Sequence, residues 1–318
     1  MNFLVTAIGS MAGEAVISRL LVLPDTHVTG CNMHPAEWCA ASRLVHSFYK
    51  LPPARQKEIY IEKLMTVCET NGIDYIIPLT DIEVDVLSEY RNLFSSKNII
   101  PCISEGPAIK IARNKLTVHD LFRRHPHISV IPTSELDAIS TNPAFPALAK
   151  PAQGRSSEGH IDIPDIQSWN FWHPRLKGKD YIVQKKYTGD IFVVDIVRAP
   201  DGKSVAITRQ ELLRTPNGAG MTVKVYAYHP CNRLAIQVSN LLELTGCVNM
   251  EFLSCEGKIM LMDINPRFSA GVAFSILSGY DMVANHVKCF SGQEIDDCDL
   301  ISEKIYTRGF KEYASIGG

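Results

Sequence analysis

Over the first third of the chain, short apolar runs alternate with amphipathic stretches. Residues 2–8 are apolar and end in Gly9-Ser10-Met11-Ala12-Gly13-Glu14, after which an amphipathic helix is predicted through Leu23. A second strand is predicted at Val28–Asn32, then a loop, then a helix from about Arg55 to Glu69 with Ile61, Leu64, Met65 and Cys68 at helical spacing. Ile73-Asp74-Tyr75-Ile76-Ile77-Pro78-Leu79 reads as the next buried strand. Thr80-x-x-Glu83 then matches a capping box opening a helix with Ile82, Val86, Tyr90, Leu93 and Phe94 inward. After Ile99–Ile103 a helix is expected from Pro107 to about Arg124, with Ser104 as its cap and Ile111, Lys115 and Val118 aligned. Strands that alternate with helices predict a parallel, twisted α/β sheet.

The pattern changes near residue 145, where alternation with a period of two takes over. Strands are predicted at Phe145–Lys150, Tyr181–Tyr187, Ile191–Ala199, Ser204–Gln210 and Met221–Tyr228, with Pro200-Asp201-Gly202 as the turn between two of them. A hairpin follows at 247–264, and two helices, about Cys231–Leu244 and Gly271–Ser291, cover the strands. This half reads as antiparallel α+β. No internal repeat, low-complexity tract or long linker interrupts the chain.

Composition narrows the function classes. The 318 residues leave room for two or three domains, and 46% apolar with 21% charged residues is ordinary for a globular protein. Net charge is −2 from 32 basic and 34 acidic residues, well mixed, so neither nucleic acid nor an acidic membrane surface is expected as a partner. The nine cysteines are scattered with no Cys-x-x-Cys pair, which disfavours zinc and iron–sulfur sites and fits reduced thiols. No charged leader or spanning apolar segment opens the chain, so a cytoplasmic protein is expected.

Candidate chemistry concentrates in Met260-Leu261-Met262-Asp263-Ile264-Asn265-Pro266-Arg267. Side chains alternate along a strand, so Asp263, Asn265 and Arg267 are expected on one face, with Met260, Met262 and Ile264 packed behind. A carboxylate, an amide oxygen and a guanidinium suit a hard cation and a phosphoryl group. Cys247–Leu253 reads as the hairpin partner, joined through residues 254–258, and a pairing of Leu253 with Ile259 is taken to bring Glu251 beside Asp263. Two carboxylates in an apolar hairpin repel each other, and a divalent cation resolves the conflict. A second candidate is Lys150-Pro151-Ala152-Gln153-Gly154-Arg155-Ser156-Ser157-Glu158-Gly159-His160: a lysine at a strand end, then a loop whose glycines and serines can cradle phosphate. It is not the Walker pattern. Gly9 and Gly13 alone do not make the dinucleotide fingerprint, so a tight strand-to-helix turn is the reading preferred there over NAD binding. Thr80, Asp81 and Glu83 lie at a strand's carboxyl end, where ligands bind in such sheets, although capping is the reading preferred for the two acids.

Taken in order, these parts resemble the ATP-grasp superfamily, most closely the synthetase halves of the carbamoyl phosphate synthetase large subunit. The resemblance spans nearly the whole chain. It rests on Pro78-Leu79-Thr80-Asp81-x-Glu83, Arg113-Asn114-Lys115, Lys150-Pro151 with its loop, Gln184-Lys185-Lys186-Tyr187-Thr188-Gly189, Asn249-Met250-Glu251-Phe252 and Asp263-Ile264-Asn265-Pro266-Arg267. It implies a parallel α/β pre-ATP-grasp domain over 1–105 and a two-lobed ATP-grasp domain with antiparallel sheets over 106–318. Within the latter, a lid would span about 125–187 and a catalytic lobe about 188–318.

By the same resemblance, ATP and Mg²⁺ are the expected cofactors. Lys150 and Lys115 would meet phosphates, and residues 152–159, with Gly154, Ser156, Ser157 and Gly159, would form the flap over them. Gln184, Lys185, Lys186 and Tyr187 would form the adenine hinge. Glu251, Asp263 and Asn265 would hold Mg²⁺, and Arg267 would grip the transferring phosphoryl. Arg214 would reach the phosphates or the acceptor. Two positions depart from the family: it usually has Glu where Asp263 stands, and its ribose-contacting Glu aligns with Ile191, leaving Asp190 as the near neighbour.

The implied activity is ATP-dependent joining of a small carboxylate, an amino acid or peptide among the options, to an amine through an acyl phosphate. Any carrier protein would be another chain, and a homo-oligomer is compatible. The alternatives are an enzyme that stops at the acyl phosphate or carboxyphosphate, and a nucleotide-binding protein without turnover.

Overall fold

Parallel pairing governs the N-terminal part of the chain. The computed structural model describes residues 1–154, 158–216 and 218–314. Strands β1 (Asn2–Val5), β2 (His27–Asn32), β3 (Ser47–Lys50), β4 (Tyr75–Ile77) and β5 (Ile100–Pro101) form a five-stranded sheet in the order β3-β2-β1-β4-β5, every pair parallel. Parallel neighbours need crossovers, and helices α1 (Gly13–Leu20), α2 (Lys57–Asn71), α3 (Asp81–Glu89) and α4 (Arg91–Ser95) lie between these strands in the chain. The turn before α1 is tight because a Cβ at Gly13 would fall 1.9 Å from the Ile8 carbonyl oxygen. β3 was not anticipated; it is an edge strand of three half-buried residues and an exposed Lys50, and carries no clear apolar alternation. The helix expected to run through Phe94 breaks at Tyr90, so Leu93, expected inward, is exposed while Phe94 stays buried.

Two further helices, α5 (Gly106–Ala112) and α6 (Lys115–Phe122), replace the single one expected over 107–124. Asn114 divides them by capping α6, its side-chain oxygen accepting from the Leu116 and Thr117 amides at 3.0 Å each. Ser104 caps neither. Its hydroxyl donates to the Thr245 carbonyl at 3.0 Å and accepts from the Thr245 amide at 2.9 Å, tying the N-terminal part to the later half. The break places Lys115 in the first turn of α6, where its amide donates to the Ala152 carbonyl at 3.0 Å.

Beyond α6, β6 (Ser129–Val130) joins the large sheet described below. β7 (Thr133–Glu135), β8 (Ala147–Pro151), β9 (Ile161–Ile163) and β10 (Tyr181–Lys185) form a four-stranded antiparallel sheet in the order β7-β10-β8-β9, with α7 (Ile166–Leu176) against its own small core around Trp169 and Val183. The rest builds a seven-stranded sheet from β11 (Asp190–Arg198), β12 (Ser204–Arg214), β13 (Gly220–Tyr226), β14 (Gly246–Cys255), β15 (Lys258–Asn265) and β16 (Ile305–Thr307), in the order β16-β13-β12-β11-β14-β15-β6. Its neighbours are antiparallel except β15 and β6. Helix α8 (Pro230–Leu241) packs on it, as do α9 (Val272–Leu277) and α10 (Met282–Ser291), which replace one helix expected over 271–291. Gly279, at φ +127°, and the Asp281 cap of α10 separate the two.

The β14–β15 hairpin turns on Glu256-Gly257, both at positive φ, as a two-residue hairpin requires. Leu253 pairs with Met260 and not with Ile259. A bulge then adds Met262 to β15, and beyond it Glu251 stands opposite Asp263 and Asn249 opposite Asn265. The bulge also corrects the expected sidedness. Ile264 joins Leu261 in the core beneath the sheet, whereas Met260 and Met262 group with Leu253, Tyr187 and Ile191. A continuous apolar core from Phe3, Val5 and Ile17 to Val197, Phe268, Val272 and Val283 welds the parallel sheet to the large one. Among the described residues no helix is long and apolar enough to cross a membrane.

Candidate active site

The three sheets leave between them a cleft of about 740 Å³. Its walls come from the turn after β1, the start of α3, the end of β8, the β10 hinge and the inner face of β11–β15.

Lys150 ends β8 with 4% of its surface exposed; burial, opposed by the nearby Asp263 charge, pulls its ammonium from the ordinary 10.5 down to about 8. Lys115 is also buried and its Nζ lies 3.5 Å from Asp263 Oδ1. Gly154 lines the cleft, and Gly159, at φ +73°, turns the loop where the Tyr181 hydroxyl donates to its carbonyl at 3.1 Å. Ser156 and Ser157 lie outside the described residues.

At the hinge, Lys185, Lys186 and Tyr187 line the cleft beside Ile191, Leu253 and Met262. Gln184 also reaches it, though its amide donates to Thr133 Oγ1 at 2.7 Å, so the side chain serves the lobe's interior. Lys186 pairs with Asp162 at 2.8 Å. Asp190 is exposed at the start of β11 and is not among the residues lining the cleft, whereas Ile191 is.

Glu251, Asp263 and Asn265 meet in the cleft as the bulge dictates. Each carboxylate has a cation: Arg214 Nη2 lies 3.0 Å from Glu251 Oε2, and Lys115 serves Asp263. Asn265 donates its amide nitrogen to Asn249 Oδ1 at 3.2 Å, which leaves its own oxygen as an acceptor. These are oxygen donors of the kind a hard cation takes.

Arg267 follows β15 and donates to Asp81 Oδ2 at 2.9 Å, and Arg113 Nη1 lies 3.3 Å from Asp81 Oδ1. Burial alone would raise the Asp81 pKa; Arg267 and Arg113 overcome it and hold the carboxyl below its ordinary range. Its carboxylate therefore bridges two arginines across the domain junction, and the capping reading does not describe it. Thr80 lines the cleft, and its hydroxyl donates to Glu83 Oε2 at 2.7 Å. Glu83 faces a separate, small cavity with Cys31 and Tyr60; burial pushes its pKa up against the hydrogen bonds it accepts.

Sequence reasoning missed Arg209 and Glu211. Arg209 is 2% exposed yet borders the cleft, with Nη1 2.6 Å from Asp195, Nε 3.3 Å from Glu211 and Nη2 donating to Ser269 at 3.0 Å. Charges at alternate positions of the apolar segment Val205–Glu211 were the available signal. Ser10, Met11, Ala12, His160 and Phe310 also line the cleft and were not anticipated as site residues.

Residues 177–309 match the family model described as ATP-grasp in the biosynthetic pathway with Ter operon, and residues 23–103 match the PylC-like N-terminal domain. The ATP-grasp match thus covers residues 177–309 of the chain. Among solved structures its fold is similar to a biotin carboxylase–βγ-ATP complex from Campylobacter jejuni, with TM-score 0.77 and 14% identity over 96% of this chain and 75% of that one. It is also similar to L-amino acid ligase from Bacillus licheniformis, with TM-score 0.70 and 12% identity over 91% of this chain and 73% of that one. Against Rhizobium etli pyruvate carboxylase the TM-score is 0.74 at 16% identity, and 93% of this chain spans only 29% of that one. A search of curated proteins finds no match.

Proposed function

We propose that the chain is an ATP-dependent carboxylate–amine ligase. A substrate carboxylate attacks the γ-phosphorus of ATP, the β–γ bridging bond breaks and ADP leaves. An amine then attacks the acyl phosphate, forming an amide and releasing phosphate. A carboxylate is a poor electrophile at neutral pH, and phosphorylation supplies the leaving group it lacks. The observation that carries this reading is the convergence in one cleft of Glu251, Asp263 and Asn265 with Lys115, Lys150 and Arg267. The likeness to an L-amino acid ligase and to an ATP-bound biotin carboxylase supports it.

In this reading Glu251, Asp263 and Asn265 hold Mg²⁺, which when bound neutralises phosphate charge. Lys150 and Lys115 bind phosphate oxygens, and the flap with Gly154, Ser156, Ser157 and Gly159 covers them. The segment Gln184–Tyr187 meets adenine through backbone groups; Asp190, the ribose candidate by position, stands outside the cleft lining, where Ile191 takes the place. Arg267 orients the transferring phosphoryl through its planar donor fork, with Asp81 fixing its direction. Arg214, Thr80 and Asp81 are the candidates on the substrate side; Glu83, which faces the separate cavity, only holds the Thr80 hydroxyl. The nine unpaired cysteines suit the cytoplasm.

The test is ADP release over a panel of carboxylates and amines. Turnover should need both substrates and Mg²⁺ and should vanish in Glu251→Gln and Lys150→Ala. Full turnover in Lys150→Ala would refute the phosphate assignment.

A further inference from the structure

Segment 305–314, to which the sequence assigned no element, brings Phe310 to the cleft. β16 pairs along the edge of β13, and the Arg308 amide then donates to the Met221 carbonyl at 2.8 Å. The Arg308 guanidinium donates to the Ala270 carbonyl and lies over the Phe274 ring, 5.2 Å from its centroid. Further on, the Tyr313 ring sits under the guanidinium of Arg43, 3.3 Å from centroid to carbon, and Arg43 belongs to the parallel-sheet domain. The segment is thus pinned to the catalytic lobe at one end and to the N-terminal domain at the other. Between the pins, Phe310 lines the cleft while 79% exposed. Met11, in the turn after β1, lines the same cleft from the other domain and is 40% exposed.

Much of the cleft lining is charged or small, including Asp81, Arg267, Arg209, Glu211 and Gly271. Two large apolar side chains left in water on a polar rim are unsatisfied surface that an apolar ligand group would cover. The charged groups suit the polar part of an amino acid, and neither Phe310 nor Met11 offers a hydrogen bond or a counter-charge to a charged side chain, the ring face giving a cation at most a weak contact at such exposure. The Arg43–Tyr313 contact is an exposed cation–π pair, weak enough to let the segment open for entry.

We propose that segment 305–314 is the outer wall of the substrate end and that Phe310, with Met11, selects an amino acid whose side chain is apolar. This rests on the ligase reading and extends it to a substrate class. Phe310 is a specificity-determining residue here and takes no part in phosphoryl transfer.

The experiment measures ADP release by the whole chain with MgATP, using leucine, methionine and phenylalanine against aspartate, lysine and glycine, singly and in pairs. Wild type should favour the apolar set by at least roughly tenfold in kcat/KM, the discrimination that a few methylenes in a pocket give. Phe310→Ser should erase most of that preference through KM, while affinity for a non-hydrolysable ATP analogue stays unchanged. Tyr313→Ala, which only loosens a pin, should move the preference the same way by less. A wild-type preference for charged amino acids, or an unaltered preference in Phe310→Ser, overturns the inference while leaving the ligase reading intact. If the analogue binds but no amino acid drives ADP release, the inference falls, while the ligase reading stands or falls on its own wider panel of carboxylates and amines.

Discussion

Replacing Lys150 by methionine should make the nucleotide-free protein more stable. The side chain is 4% exposed, and burial, partly offset by Asp263, pulls the ammonium from 10.5 to about 8. At about 1.4 kcal/mol for each tenfold change in the protonation equilibrium, holding the charge inside costs about 3 kcal/mol at neutral pH. The sign follows from linkage. The folded-state pKa lies below the unfolded one, so between about 8 and 10.5 the unfolded chain binds more protons and stability rises with pH. Below that window both states are protonated and the whole cost is present. Methionine keeps an unbranched apolar stem of similar length without the charge, so Lys150→Met should gain up to about 3 kcal/mol at pH 7. The gain should shrink as pH rises through the window. Urea unfolding at pH 7 and pH 9.5, followed through Trp169 and Trp172 on α7 of the same lobe, reads the transition locally, which matters because a multi-lobed chain need not unfold in one step. Equal or lower stability of the variant at pH 7, or a gap that does not change with pH, would refute the reasoning. If Lys150 binds phosphate as proposed, the same variant should also lose nucleotide affinity.

Asp81→Asn removes the shared partner of Arg267 and Arg113 and should cost about 2–4 kcal/mol at pH 7 by urea midpoint. The wild-type Asp81 pKa is held low, so its contribution is present above the unfolded value and fades as pH falls through the folded one; the gap between the two proteins should close in acid. Gly13→Ala would place a methyl 1.9 Å from the Ile8 carbonyl oxygen, and thermal melting should show a loss of about 3 kcal/mol or more, since backbone cannot give way there cheaply. Glu251→Gln should weaken Mn²⁺ binding, read by electron paramagnetic resonance with a non-hydrolysable ATP analogue present, by at least roughly tenfold, because ligand charge sets affinity for hard cations. In wild type, Mn²⁺ should bind more tightly with the analogue than without it; equal affinities would argue against coupled binding.

Long-range order in the chain was legible where period and punctuation agreed. The parallel sheet was read from apolar runs separated by helical stretches, and the Gly9–Gly13 turn was read as steric, which the approach to Ile8 explains. Helix breaks were not legible, because Asn114 and Asp281 act as caps inside stretches whose apolar spacing continues across them. The facing of Glu251 and Asp263 was anticipated through a register that does not occur, and the bulge at Met262 restores it. A bulge has no period and so leaves no trace in an alternation argument; it also turned Met260 and Met262 toward the hinge side. Arg209 left only the alternating charge with Glu211 as a signal: its partners Asp195, Ser269 and Ser275 are distant in the chain, and only the folded sheet gathers them. Phe310 lay in a stretch without pattern, so only its place against the cleft gives it meaning.

The charges of the cleft explain how two facing carboxylates are tolerated before any metal arrives. Glu251 and Asp263 would repel across the hairpin, but Arg214 and Lys115 each neutralise one of them. A bound triphosphate would draw those same cations toward its oxygens and leave the carboxylates without partners. A divalent ion taken up with the nucleotide fills that deficit, so the two ligands compensate each other's charge and bind better together than apart. Asp81 offsets the charge of Arg267, and in the proposed reading it would release one Arg267 donor to a phosphoryl oxygen while Arg113 still pairs with it. The substrate side of the cleft is thereby neutral at rest. In the proposed reading these paired charges would orient the polar part of a substrate, and the exposed Phe310 ring and Met11 thioether would discriminate among its side chains.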